Sequence, residues 1–233
     1  MPTAILVDGA FFIKRFRYIE PHNYFNAKRA ADLVFRCALS HLIELNGKLA
    51  KDSTESEKIK HSLYRIFFYD CPPIEKKLQN PISKKGIDFS KSEEALFRFE
   101  LHELLKTKRK VALRLGHLSS DTPWTIKPSV IDSLLKGKLN FSDLKDTDVL
   151  PNIRQKGVDM RIGIDISSLS IKKQVDQIVL IAGDADFVPA AKLARREGVD
   201  FILDSMWQDI PSSLNEHIDG LRTTSPKPKK LAK

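Results

Sequence analysis

Four apolar, β-branched or aromatic-rich runs in this chain end on or next to an aspartate, and no other feature constrains the fold as much. They are Ile5-Leu-Val-Asp8, Ile66-Phe-Phe-Tyr-Asp70, Val179-Leu-Ile-Ala-Gly-Asp184 and Phe201-Ile-Leu-Asp204. Together with Val111 to Leu115 they give five predicted strands: Ala4 to Val7, Arg65 to Tyr69, Val111 to Leu115, Gln177 to Ala182 and Asp200 to Leu203. Several of these runs are almost continuously apolar, as strands covered on both faces are, and helix-forming stretches separate them. The fold class is therefore α/β with a parallel sheet. In an open parallel sheet all strand C-termini leave at one edge, where ligands bind outside the point at which strand order reverses, so the aspartates are expected to share that edge.

The helices follow from three- and four-residue spacing. Asn26 to Leu45 places Ala30, Leu33, Val34, Cys37, Ala38, His41, Leu42 and Leu45 on one stripe and stops at Asn46-Gly47. Ser90 to Lys108 opens on Ser90-x-x-Glu93, a capping-box spacing, with Leu96, Phe99 and Leu104 or Leu105 directed inward. A helix starting at Asp159 carries Val158, Ile162, Ile166 and Leu169, and Phe187 to Glu197, stopped by Gly198, holds Pro189 in its first turn. The segment from 119 to 155 is less regular, with one short helix around Ser129 to Leu135, and reads as an insertion or flap. Lys48 to Lys60 reads as an exposed connection.

The first 222 residues are read as one domain, and residues 223–233 as a disordered basic tail, because the stretch from Arg222 onward has cations and prolines but no acid. No run approaches the roughly 18 apolar residues of a membrane helix, and the N-terminus lacks the basic start of a secretory signal, so the expectation is a cytoplasmic protein without membrane contact. Cys37 and Cys71 have neither redox nor zinc spacing and are expected to be buried thiols. The formal charge of +9, from 39 Lys and Arg against 30 Asp and Glu, favours a polyanionic partner.

Aspartates at strand ends also serve as loop formers and helix caps, and Asp70 and Asp204 are read that way. For Asp8, Asp184 and Asp186 that reading weakens, because each adjoins a small residue or a tight turn at the same edge. Asp165 falls near the apolar stripe of its helix and is either hydrogen-bonded to a strand end or facing the site. Clustered carboxylates repel one another, so the group needs a cation, a proton or basic neighbours, and an oxygen-only donor set suits Mg²⁺ or Mn²⁺. The sequence lacks a dinucleotide or triphosphate glycine loop, a serine-hydrolase elbow and metal-ligand spacing among its six histidines. A phosphatase with an aspartyl nucleophile would be expected to carry a second acid where Ala10 stands.

The ordered motifs Ile5-Leu-Val-Asp8-Gly9, Tyr69-Asp70-Cys71-Pro72-Pro73, Arg114-Leu115-Gly116, Lys156-Gly157-Val158-Asp159, Asp165 and Gly183-Asp184-Ala185-Asp186-Phe187-Val188-Pro189 resemble those of NYN domains, in the LabA-like branch of the PIN-like nuclease superfamily. The resemblance spans roughly residues 3 to 210. It implies a PIN-like fold with strand order 3-2-1-4-5 and metal-dependent hydrolysis of RNA phosphodiesters at a cleft holding one or two Mg²⁺ or Mn²⁺ ions. By matching positions, the metal and catalytic acids are Asp8, Asp159, Asp184 and Asp186, with Asp165 as a supporting acid. Ala182 departs from the serine or threonine that many members carry there.

Lys156 is a candidate for neutralising a phosphate oxygen. Lys14, Arg15, Arg17, Arg154 and Arg161 are candidate RNA contacts, the first three from the aromatic-interleaved run Phe11 to Tyr18. That run reads equally well as a helix burying its phenylalanines. The leading expectation is an endoribonuclease acting on single-stranded or structured RNA. A non-catalytic RNA-binding or regulatory module is the alternative, and a DNase or phosphatase on the same scaffold a third. A homodimer or protein partner is left open.

Overall fold

A computed structural model of the protein describes residues 2–45, 58–119 and 124–228. The five expected strands form as β1 (Pro2–Asp8), β2 (Ser62–Asp70), β3 (Val111–Leu115), β4 (Gln177–Ile181) and β5 (Asp200–Asp204). They pair in parallel in the order 3-2-1-4-5, and a two-residue strand β6 (Gly220–Leu221) extends the sheet beyond β5. β6 is too short to carry a pattern of its own. It is fixed from outside, by the Asp219 N–H donating to the Phe201 carbonyl at 2.8 Å and the Arg222 N–H to that of Leu203 at 2.9 Å.

Period-two alternation divides β1 between two cores. Ile5 and Val7 pack against α1 (Gly9–Ile19), α2 (Ala27–His41) and α3 (Glu93–Lys106). Ala4 and Leu6 pack on the opposite face against α5 (Val158–Ile171) and α6 (Val188–Arg196). The short helix α4 (Pro128–Leu135) forms where expected, within an antiparallel arm between β3 and α5 that pairs His117–Ser119 with Arg154–Lys156 and Trp124–Ile126 with Val149–Pro151.

Several expectations are corrected by long-range contacts. α2 ends at His41, because Ile43–Leu45 leaves it to pair with Lys58–Lys60; the Asn46-Gly47 stop and most of the connection from Lys48 lie outside the described residues. α3 is capped by Ser92, whose hydroxyl accepts from the Ala95 N–H, and Ser90 belongs to a preceding turn. Its phase is also rotated, leaving Leu96 57% exposed. The cause is Asp70 at the end of β2, which is fully buried and draws Arg98 Nη1 to 2.5 Å and His102 Nε2 to 2.9 Å, so that these two residues, one helical turn apart, face the sheet.

The start of the expected tail is docked. Thr224 donates through its N–H and hydroxyl to Asp204 Oδ2, both at 3.2 Å, and the Ser225 carbonyl accepts from Trp207 Nε1 at 3.0 Å. Buried Asp204, which also meets His41 Nε2 at 2.9 Å, needs these partners, and composition alone could not supply that information. Cys37 and Cys71 are buried free thiols, as expected. Among the described residues no helix is long and apolar enough to cross a membrane.

α1 begins directly against β2. A Cβ added at Gly9 would sit 2.5 Å from the Tyr69 carbonyl oxygen and 2.8 Å from the Phe68 ring, both fully buried. Gly9→Ala is therefore expected to destabilise the fold by about 1–3 kcal/mol, the usual range for overpacking a filled interior. Chemical denaturation measures this, and an unchanged midpoint would show that helix and strand can separate at no cost.

Candidate active site

The order of the sheet reverses between β1 and β4: the chain builds outward through β2 and β3, then crosses to the other side of β1. Asp8 ends β1, and Ala182-Gly183-Asp184 follows β4, whose Ile181 is in register with Val7. Asp159 enters the same edge from the first turn of α5. Its approach is fixed at Gly116, where a Cβ would meet the Lys156 carbonyl at 2.6 Å and the Val158 side chain at 3.0 Å, so the chain leading into α5 lies tight against the end of β3.

Two of the acids are tied to a helix or turn start. Asp8 Oδ1 accepts from the Phe11 N–H at 3.1 Å and caps α1, and Asp184 Oδ1 accepts from the Asp186 N–H at 3.1 Å in the turn preceding α6. Partial positive charge at these starts offsets the repulsion among carboxylates. In both caps the second oxygen, Oδ2, takes no part in the bond.

Electrostatics link the acids through Asp159. Burial, then the charges of Asp184 and Asp186, push the Asp159 carboxyl above the usual range. Desolvation pushes Asp8 up to about 6, with Asp159 and Asp70 adding to the effect and the Phe11 and Ala10 N–H groups opposing it. Asp159, Asp184 and Asp186 are exposed and Asp8 is half-buried. Among the described residues no three His, Cys, Asp or Glu side chains already stand close enough to hold a metal ion together. The donor chemistry nonetheless suits a hard divalent cation: every donor is a carboxylate oxygen, the charges repel, and capping occupies only one oxygen of Asp8 and of Asp184.

Asp165 resolves to the first of its two alternatives. Its Oδ2 accepts from the Tyr69 hydroxyl at 2.8 Å and from Arg114 Nε at 3.2 Å, tying α5 to the ends of β2 and β3. Lys156, Arg154 and Arg161 are exposed near the entry to α5, and Lys14 is exposed on α1. Two expected RNA contacts are corrected. Arg15 is buried, and its Nε and Nη2 donate to the Met206 carbonyl at 3.0 and 2.8 Å. Arg17 is held by Glu94 at 2.6 Å and lies over the Tyr24, Phe25 and Phe97 rings. Phe12 and Phe16 of this run pack inward and are fully buried, whereas Tyr18 is exposed.

Sequence reasoning missed the part that Asp70, Arg98 and Glu94 play in this surface. Asp70 acts electrostatically on Asp8, and Arg98 joins it to Glu94 through a 2.7 Å bond. The sequence signal was faint: Arg98 and His102 stand four residues apart, but off the face that the apolar spacing of Leu96 and Phe99 marks as inner.

The NYN domain family model matches residues 128–221, a stretch that carries Lys156, Asp159, Asp165, Asp184 and Asp186 and begins after Asp8. No curated protein matches the chain. Among solved structures, a protein of unknown function from Vibrio parahaemolyticus aligns with 13% identity and a TM-score of 0.42, covering 95% of this chain and 91% of that chain.

The raised carboxyl of Asp8 has a consequence for stability. Its ordinary value is 3.8 and its folded value about 6, so the stabilisation from holding its proton is complete below the lower value and lost as pH rises through the upper. Asp8→Asn keeps a capping oxygen and carries no charge. It is expected to be more stable than wild type at pH 7 by roughly 1–3 kcal/mol, with little difference near pH 3. Urea midpoints at the two pH values check this, and a less stable variant at pH 7 would contradict it.

Proposed function

We propose that the protein is a metal-dependent ribonuclease of the LabA-like NYN branch, hydrolysing RNA phosphodiesters at the edge between β1 and β4. The carrying observation is that the end of β1, the first turn of α5 and the turn after β4 bring Asp8, Asp159, Asp184 and Asp186 from three chain segments to the switch point of the sheet. The NYN match over residues 128–221 supports the same chemistry.

Asp8, Asp159, Asp184 and Asp186 would hold Mg²⁺ or Mn²⁺, Asp8 and Asp184 through the oxygens their caps leave over. When bound, such a cation supplies neutralisation of phosphate charge and activation of water for in-line displacement. The chain's own contribution is orientation: the caps fix Asp8 and Asp184, and Asp165 holds α5, hence Asp159, against the ends of β2 and β3. Lys156, Lys14, Arg154 and Arg161 offer cations to the phosphates of the strand, a sequence-independent grip that weakens with salt.

A non-catalytic RNA-binding module is the second reading. It is favoured by one observation, that no three donors are already gathered for a metal among the described residues. It gives no account of why carboxylates share the sheet edge where phosphate would lie.

End-labelled single-stranded RNA and matched DNA, incubated with Mg²⁺, Mn²⁺ or EDTA, separate the readings. Wild type is expected to cleave RNA only with metal. Asp184→Asn is expected to lose on the order of 100-fold or more in rate while keeping its fold by circular dichroism. Full activity in that variant would remove Asp184 from the site, and salt-sensitive binding without cleavage would favour the module.

A further inference from the structure

Beside the acid edge lies a second feature that the acids do not explain. The residues after β2, the start of α3 and the antiparallel arm enclose an apolar cleft of about 490 Å³, within the size range of small-molecule sites. Pro72, Pro73 and Ile74 form one wall and Leu118 and Ile153 another. Gln155 pairs across the arm with Leu118, so both project to the face that lines the cleft, and the Gln155 amide brings a donor and an acceptor to it.

The charges in this cleft are already matched. Glu94 accepts from Arg17 Nη2 at 2.6 Å and from Arg98 Nε at 2.7 Å, and Arg98 also pairs with Asp70. Such a lining favours a flat, neutral, hydrogen-bonding group over a phosphate. Arg98 also lines a neighbouring cleft of about 480 Å³ with Ala10, Lys14, Arg17 and Tyr18. Lys14 there is exposed and has no ion pair among the described residues, and Ala10 stands two residues beyond Asp8. From Asp8 outward the surface therefore changes from acidic, to a cleft whose exposed cation is Lys14, to apolar with an amide, which complements a phosphate followed by a base turned out of its stack.

We infer that the apolar cleft between Pro72–Ile74, α3 and the arm is a subsite for one unpaired nucleobase of the RNA strand, so that the substrate is single-stranded where it passes Arg98. This rests on the ribonuclease reading for the identity of the strand, and it adds the strand's local state and the residues that receive the base.

The test is equilibrium binding of the full chain, in EDTA at low salt, to a labelled single-stranded RNA of about ten nucleotides and to a series of copies each lacking one base. The expected result is a narrow window of one or two positions at which base removal weakens binding roughly tenfold. Ile153→Trp, which fills the cleft, should weaken the intact RNA by a similar factor and flatten the scan, while Gln155→Ala should change which base is preferred in the window. A scan that is flat for wild type overturns the subsite, as does unchanged binding by Ile153→Trp. Run beside the cleavage assay, the outcomes separate. Cleavage with a flat scan removes the subsite and leaves the nuclease, a position-dependent scan without cleavage does the reverse, and absence of RNA binding removes both. Binding of a proline-rich peptide at the cleft, with RNA binding insensitive to Ile153→Trp, would reassign it to a protein partner.

Discussion

Strand β1 is paired on both edges, to β2 and to β4, and Ala4 through Val7 are fully buried. A strand held this way has no freedom to slip, because a shift of one residue would exchange Ile5 and Val7 with Ala4 and Leu6 between two cores of different shape. The position of Asp8 is thereby fixed, and with it the start of α1, which Gly9 allows to touch the Tyr69 carbonyl. Because β4 lies on the opposite side of β1 from β2, the connections diverge above Asp8, and Asp184 follows β4 into the opening.

The four aspartates that follow the strands have two fates, and their neighbours decide which. Beyond β2 and β5, helices deliver Arg98 and His102 to Asp70 and His41 to Asp204, and Thr224 from the docked stretch after β6 adds a hydroxyl to Asp204. Both acids are fully buried and fully engaged, which makes them structural, since removing a partner would leave buried charge unmatched. Beyond β1 and β4 the neighbours are Gly9, Ala10, Ala182 and Gly183, which carry no polar side chain. Asp8 and Asp184 keep only backbone caps, and burial, followed by the charges of neighbouring acids, raises the carboxyls of Asp8 and Asp159. The proposed cation would supply the partner that these two acids lack.

Much of this was legible in the sequence. The strands were, because central parallel strands are continuous apolar runs, and so were the acids at their ends. The strand order came from the family resemblance, since periodicity carries no information about which strands neighbour each other. Partnership was not legible: Asp204 meets His41 across 163 residues, and nothing local marks either. Arg15 and Arg17 were misread for a related reason. A cation between aromatics has the same spacing whether it faces phosphate or, as here, the Met206 carbonyl and Glu94. The rotated α3 and the docked residues after Arg222 likewise follow from buried carboxylates drawing distant groups toward them.

The proposed site makes Asp8, Asp159, Asp184 and Asp186 one electrostatic unit for a divalent cation. Its most direct test is a Mn²⁺ titration of the full chain followed by the electron paramagnetic resonance of free Mn²⁺, comparing wild type with Asp159→Asn, the substitution at the residue that couples to the other three. Wild type is expected to bind Mn²⁺ saturably, and the variant, still folded, to bind at least tenfold more weakly. Equal binding by the two proteins would contradict it.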